Sequence, residues 1–143
     1  MTDYEKSNTI LEVEYSRFSH KEYTDLLNCT KNRQVYAQKL IDYLCDKYKI
    51  RRIPVKVLNT PRPHNTRKQT YGQYRYLPTS RTGVSITIWN ITAKTAKEVA
   101  IKTFANTLIH EFIHHYDTEY LKIVSTHTTG FYKRISDLEK KLG

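Results

Sequence analysis

The sequence contains little cysteine and no long hydrophobic run, and each shortage excludes a class of protein. Two cysteines in 143 residues are too few for a disulfide scaffold or a four-cysteine zinc ribbon. No apolar stretch approaches the ~20 residues of a membrane span, so we expect no membrane partner. The first residues are rich in carboxylates and lack the apolar run of a secretory signal. We therefore expect an intracellular protein of the cytoplasm or nucleoid, or of the nucleus in a eukaryote.

Acidic residues are scarce outside the N-terminal part of the chain. The 24 Lys and Arg residues exceed the 14 Asp and Glu residues, for a net charge of +10. Residues 1–30 hold three basic and six acidic side chains, whereas residues 31–143 hold 21 basic and 8 acidic ones. Residues 47–97 contain 12 basic side chains and no acidic one. A segment with charges of one sign creates a positive electrostatic potential that attracts polyanions. A solvated basic face can also serve solubility alone.

Aromatic residues lie among these positive charges. Tyr71, Tyr74, Tyr76 and Trp89 suit stacking on unpaired bases, and they suit strand packing equally well. Charge and aromatics together predict DNA binding, with a preference for single-stranded character. The candidate residues are Lys47, Lys49, Arg51, Arg52, Arg62, Arg67, Lys68, Tyr74, Arg75 and Trp89.

Hydrophobic periodicity predicts a mixture of helices and strands. Apolar residues recur at helical spacing between Asn32 and Lys49, which is typical of an amphipathic helix. A long helix capped by Thr92 or Thr95 runs to about Tyr120. Between these helices we expect three strands and two connections, and after them a last helix. Their ranges are 55–58, 69–77 and 84–89 for the strands, 60–68 and 78–83 for the connections, and 131–142 for the helix.

This order of elements predicts an α+β fold, with helices packed on a small antiparallel three-stranded sheet. Residues 31–143 form the predicted domain. Residues 1–30 are acidic and weakly patterned, and we expect an N-terminal arm or an edge element there.

The predicted long helix carries the pattern His-Glu-x-x-His at residues 110–114. Two histidines four residues apart project from one helix face and can bind one Zn²⁺, and the intervening Glu111 can accept a proton from its water. A shuffled sequence of this composition would contain the pattern about 0.01 times. His110 and His114 fall on the face opposite the apolar stripe of Leu108 and Phe112, so they are not core histidines.

A catalytic zinc needs a third protein ligand and one open position. His127 follows His114 after twelve residues, and a turn after the helix could bring it back over the first two histidines. Asp117 lies close to the same face, so it could bind the metal itself or accept a hydrogen bond from the N–H of a metal-binding histidine. Glu119 is a further alternative that faces the site less well. His115 points toward the apolar side and is predicted to be structural.

These residues resemble the SprT-like zinc metallopeptidase domain, the domain of the Spartan DNA–protein crosslink proteases. The resemblance covers roughly Asn32 to Leu142. It rests on Leu108-Ile109-His110-Glu111-Phe112-Ile113-His114-His115, on His127 with Phe131, on Tyr71-Gly72-Gln73-Tyr74-Arg75 and on Ser85-Ile86-Thr87-Ile88-Trp89-Asn90.

The resemblance implies a zincin-like fold with one catalytic Zn²⁺. His110, His114 and His127 would be its ligands, and Glu111 the general base that works on a zinc-activated water. The family usually has glycine directly after the third histidine, whereas Thr128 stands there in this chain.

The implied function is a zinc endopeptidase acting on proteins bound or crosslinked to DNA, in DNA–protein crosslink repair. We expect the protein to be a monomer. Two alternatives remain open. A regulator-cleaving zinc peptidase similar to the ImmA/IrrE group would use a carboxylate such as Asp117 or Glu119 as third ligand. A non-catalytic, basic DNA-binding module with a metal site would have no use for Glu111 as a base.

Overall fold

The computed structural model describes residues 1–14, 18–61, 71–76, 84–91 and 97–142. These residues form five α-helices, one π-helical turn and a three-stranded sheet, which confirms the α+β class. In chain order the elements are α1 (Asp3–Thr9), α2 (His20–Leu27), α3 (Arg33–Tyr48), β1 (Val55–Pro61), β2 (Gly72–Arg75), β3 (Ser85–Ile91), α4 (Ile101–Tyr116), the π-helical turn Asp117–Leu121 and α5 (Thr129–Leu142).

Helix α3 confirms the amphipathic helix predicted from Asn32 to Lys49. The Asn32 side chain accepts a hydrogen bond from the Val35 N–H at the N-terminus, and Lys49 ends the helix in the left-handed conformation with φ 55°. Such an N-cap satisfies one of the unpaired N–H groups of the first turn. The apolar face of α3 packs against β1 and α4, and Leu40, Ile41 and Leu44 are fully buried there.

The sheet is mixed, so the predicted antiparallel sheet was wrong. Its strand order is β1-β3-β2; β3 pairs in parallel with β1 and antiparallel with β2. Ile86 and Ile88 on β3 are fully buried, so the most apolar strand takes the central position. Alternation along a strand shows which side chains turn inward, but it does not show which neighbour the strand pairs with.

Helix α4 begins later than predicted. Thr92 and Thr95 lie outside the described residues, but residues 97–100 are not helical. Glu98 forms an isolated bridge with Ile91, and the Val99 N–H donates to the Asn90 carbonyl at 2.8 Å. This segment therefore continues beside β3, and the first helical residue is Ile101. The predicted end near Tyr120 corresponds to the π-helical turn that follows α4.

The N-terminal residues differ from the loose arm or edge element predicted for them, because they form helices α1 and α2. Helix α1 packs on α5, with Ser7 fully buried between them. A methyl group on Gly130 would lie 2.1 Å from the Ser7 carbonyl oxygen. The absence of a side chain at Gly130 is therefore what allows the two helices to approach.

The remaining boundaries differ by a few residues. Thr60 and Pro61 belong to β1 rather than to the predicted loop, and α5 starts at Thr129 instead of near Phe131. The predicted turn at residues 78–83 lies outside the described residues. Among the helices that the structure describes, none combines the length and hydrophobicity needed to cross a membrane.

Candidate metal centre

Helix α4 holds two histidines one turn apart at the wall of a cleft. Its buried face carries Leu108 and Phe112, and His110 and His114 lie partly exposed on another face. After the π-helical turn the chain reverses, so that His127 precedes α5 and faces the first two histidines. The structure thus brings together the three predicted ligands.

The three imidazole rings point their Nε2 atoms toward one another. His127 Nε2 lies 3.0 Å from His114 Nε2 and 3.3 Å from His110 Nε2. One ligand atom from each histidine lies within 4.8 Å of the others. A tetrahedral ion with nitrogen ligands at 2.0–2.1 Å separates those ligands by about 3.3 Å. Both separations measured from His127 Nε2 are close to that value.

Phe131 packs against all three rings from the interior. Its ring centroid lies 5.0 Å from that of His110, 4.5 Å from that of His114 and 5.3 Å from that of His127. Phe131 is fully buried, so it fills the space behind the histidines with apolar surface. Solvent therefore reaches the cluster from the cleft side.

Burial keeps the histidines of α4 neutral. It lowers the pKa of His110 to about 4, with a smaller contribution from His127. It lowers the pKa of His114 to about 3, and repulsion from His110 and His127 adds to the effect. A metal binds the neutral imidazole, so neither side chain must first lose a proton near pH 7.

Glu111 lines the same cleft as the three histidines and is 5% exposed. It packs closely against Gly72 of β2: a methyl group there would lie 2.9 Å from Glu111 Cγ and 3.1 Å from Glu111 Oε2. The same methyl group would lie 2.8 Å from Thr107 Cγ2. Gly72 therefore allows β2 to approach α4 at the position of the predicted base.

The cleft has a volume of about 790 Å³. One wall is β2, with Gly72, Gln73 and Tyr74, and the other is the segment from Lys122 to Ser125. In the part of the chain that the structure describes, β2 is an edge strand of the sheet and pairs with β3. A strand edge thus runs beside the histidine cluster.

Asp117 lies behind the cluster rather than in it. It is fully buried and accepts hydrogen bonds from Arg134 at 3.0 Å and 2.8 Å. It also accepts one from the Ser125 hydroxyl at 2.8 Å, and Ser125 Oγ lies 2.8 Å from His114 Nδ1. Burial raises the pKa of the Asp117 carboxyl, while Arg134 and Ser125 act in the opposite direction. Asp117 therefore reaches a histidine through Ser125.

The contacts of Glu119, the other carboxylate candidate, and of His115, the predicted structural histidine, show where each side chain lies. Glu119 accepts a hydrogen bond from Arg51 Nε at 2.5 Å. His115 is fully buried, with Nδ1 3.0 Å from the Tyr74 hydroxyl and Nε2 2.9 Å from the Arg51 carbonyl. The prediction that His115 is structural agrees with these contacts.

Several predicted DNA-binding cations form ion pairs within the protein. Lys47 lies 3.4 Å from Glu22, Arg51 pairs with Glu119, and Arg52 pairs with Asp46 at 2.6 Å. Acidic side chains of the protein itself therefore neutralise part of the positive charge of these candidates.

The other DNA-binding candidates differ in exposure. Lys49 and Arg75 are exposed. Trp89 is 9% exposed, so little of its ring is open to a base. Tyr74 is partly buried, and its ring lies beside those of Tyr76 and His114. Arg62, Arg67 and Lys68 lie outside the described residues.

Two residues at the site escaped the sequence analysis. Ser125 carries no pattern that distinguishes it from other loop serines. Arg134 did carry a signal: it falls within the apolar stripe of α5, among Phe131, Ile135 and Leu138. A charged residue in such a stripe is rarely buried without a partner, and Asp117 is that partner.

Comparisons of this chain with protein-family models, curated proteins and solved structures found no match. The resemblance to SprT-like peptidases therefore depends on its motif residues alone.

Proposed function

We propose that this protein is a zinc-dependent endopeptidase that acts on proteins bound or crosslinked to DNA. The observation that carries the proposal is the convergence of His110, His114 and His127 through their Nε2 atoms, in a cleft that Glu111 also lines. Three histidines leave one position of a tetrahedral ion open for water or substrate, which distinguishes catalytic from structural zinc sites. The resemblance to the SprT-like, zincin-like domain agrees with this chemistry.

The roles of the side chains follow from their positions. Zinc bound by the three imidazoles would acidify a water molecule and polarise the scissile carbonyl group. Glu111 would take up a proton from water in the cleft and pass it to the leaving amine. Glu111 lines the cleft with little of its surface exposed.

The position of β2 at the edge of the sheet suits an extended peptide. A substrate chain can add to this edge through backbone hydrogen bonds, a mode that depends little on side chains. Its scissile bond would then lie beside Glu111, which contacts β2 at Gly72. This arrangement favours cleavage within a chain and broad sequence tolerance.

The positive net charge of the protein supports DNA as a binding partner that brings the enzyme to its substrates. A net charge of +10 attracts a polyanion over long range, and Lys49 and Arg75 are exposed. Binding to DNA, with single-stranded DNA favoured, would concentrate the enzyme near DNA-bound proteins. Both cysteines are free, which agrees with action inside the cell, and we propose that the protein acts as a monomer.

The test begins with zinc content. We expect purified wild-type protein to hold one zinc ion, and His127→Ala to lose most of it. Glu111→Gln should retain zinc and lose at least a hundredfold in cleavage of a DNA-bound protein, because the proton acceptor is gone. Zinc-free wild-type protein would contradict the proposal, as would cleavage by Glu111→Gln at the wild-type rate. The non-catalytic alternative predicts DNA binding without cleavage by either protein.

DNA dependence is tested separately. Wild-type cleavage should increase when single-stranded DNA is added, and the increase should weaken with salt. Equal rates with and without DNA would contradict the proposed role of DNA and leave the proposed peptidase activity.

The alternative with a carboxylate as third ligand is disfavoured, because Asp117 and Glu119 bind arginines instead of facing the histidine cluster.

A further inference from the structure

A buried chain of hydrogen bonds runs from Arg134 through Asp117 and Ser125 to the ring of His114. We propose that Ser125 and Asp117 are positioning residues, which hold His114 with its Nε2 lone pair directed at the metal. The inference rests on the metal site of the proposed function. It concerns how that site gains its affinity.

The direction of each hydrogen bond in the chain is determined by chemistry. The Asp117 carboxylate is paired with a guanidinium and can only accept. The Ser125 hydroxyl therefore donates its hydrogen to Asp117 Oδ2. Having no second hydrogen, Ser125 Oγ must accept from His114 Nδ1, 2.8 Å away.

This direction selects one tautomer of His114. With the ring proton on Nδ1, the lone pair is on Nε2, the atom that lies 3.0 Å from His127 Nε2. The other tautomer would direct an N–H at the metal position. In metal sites such outer hydrogen bonds set both the tautomer and the ring orientation, and their loss weakens metal binding by about 10–100-fold.

Arg134, at the other end of this series of hydrogen bonds, is held by further contacts. Arg134 and Asp117 have no exposed side-chain surface. Besides its bonds to Asp117, Arg134 donates to the Ser7 and Ile10 carbonyl oxygens at 2.6 Å each and to the Ser7 hydroxyl at 2.9 Å. Helix α1 and the residue that follows it thus fix the guanidinium, which in turn fixes the carboxylate that orients Ser125.

The test compares zinc affinities by competition with a chelator. Ser125→Ala should bind zinc at least tenfold more weakly than wild type, because His114 loses its acceptor. Ser125→Thr should restore the affinity, since it keeps the hydroxyl. Thr126→Val is a matched control: it removes a neighbouring hydroxyl that is buried and has no hydrogen-bond partner in the described structure, so affinity should not change.

Unfolding of the metal-free proteins separates positioning from folding. Ser125→Ala leaves the Asp117–Arg134 pair intact, so its unfolding temperature should stay close to that of wild type. Wild-type affinity in Ser125→Ala would overturn the inference, as would failure of Ser125→Thr to restore binding or equal losses in Ser125→Ala and Thr126→Val. Absence of zinc binding by the wild type would instead overturn the proposed function.

Discussion

At the scale of single residues, the site depends on groups that tolerate almost no change in size or charge. Gly72 must lack a side chain for Glu111 to keep its position. Asp117 must keep its charge because Arg134 is buried against it. Each requirement leads to a substitution with a defined consequence.

Gly72→Ala should impair catalysis while leaving the metal in place. The added methyl group would lie 2.9 Å from Glu111 Cγ and 2.8 Å from Thr107 Cγ2, so Glu111 or β2 must shift. Misplacement of a catalytic group by about 1 Å costs on the order of a hundredfold in rate. We expect wild-type zinc content with a cleavage rate reduced at least tenfold. An unchanged cleavage rate would show that Gly72 does not position the base.

Asp117→Asn should destabilise the fold itself. Removal of one partner from a buried ion pair leaves the other charge without compensation and costs about 3–5 kcal/mol. Urea unfolding of the metal-free protein measures this loss. The control is Asp46→Asn, which breaks an exposed pair with Arg52 and should cost about 1 kcal/mol or less. Similar losses in the two variants would contradict this account of Arg134.

At the scale of elements, helix α1 belongs to the site although it is distant in sequence. Asp3 Oδ2 accepts from the Val124 N–H at 2.9 Å, and Asn8 Oδ1 accepts from the Gly130 N–H at 3.1 Å. These two contacts lie on either side of His127. Helix α1 therefore fixes both ends of the segment that carries the third proposed ligand.

Asn8→Ala should weaken zinc binding by loosening this segment. The Gly130 N–H would lose its side-chain acceptor, and the position of His127 would become less well defined. We expect a several-fold lower zinc affinity in the chelator competition. Thr9→Ala is the matched control, because the Thr9 hydroxyl donates only to the Lys6 carbonyl of its own helix among the described contacts. Equal effects of the two substitutions would argue against a specific anchor.

At the scale of the whole molecule, the histidine cluster makes folding dependent on pH. In the metal-free protein the pKa of His110 lies near 4 and that of His114 near 3, against an ordinary value of 6.5. The unfolded chain therefore binds more protons than the folded one below pH 6.5. Stability is fully present above that pH and decreases as the pH falls toward 4.

Between pH 7.5 and pH 5 the lowered pKa of His114 should reduce the free energy of unfolding by about 2 kcal/mol, at 1.36 kcal/mol per pKa unit. His114→Asn removes this histidine, so its loss of stability over this interval should be smaller by roughly that amount. Urea unfolding of both metal-free proteins at the two pH values measures the difference. Parallel losses in wild type and variant would contradict the pKa assignment.

Local patterns in the sequence were sufficient for several features of this protein. Helical spacing predicted α3 and the buried face of α4, and the spacing of His110 and His114 predicted that their rings share a helix face. These features depend on residues within one or two turns of each other, where backbone geometry alone determines which side chains are neighbours.

Only the tertiary structure decided the order of the strands, the docking of α1 and the link from Arg134 to His114. Ser7 and Arg134 are 127 positions apart, and Asp117 and Arg134 are 17 apart. No periodic pattern connects such residues. Their proximity depends on the packing of α1, α5 and the π-helical turn around the buried guanidinium of Arg134. A buried charge is costly unless it is paired and hydrogen-bonded, so partners from distant parts of the sequence are brought to it.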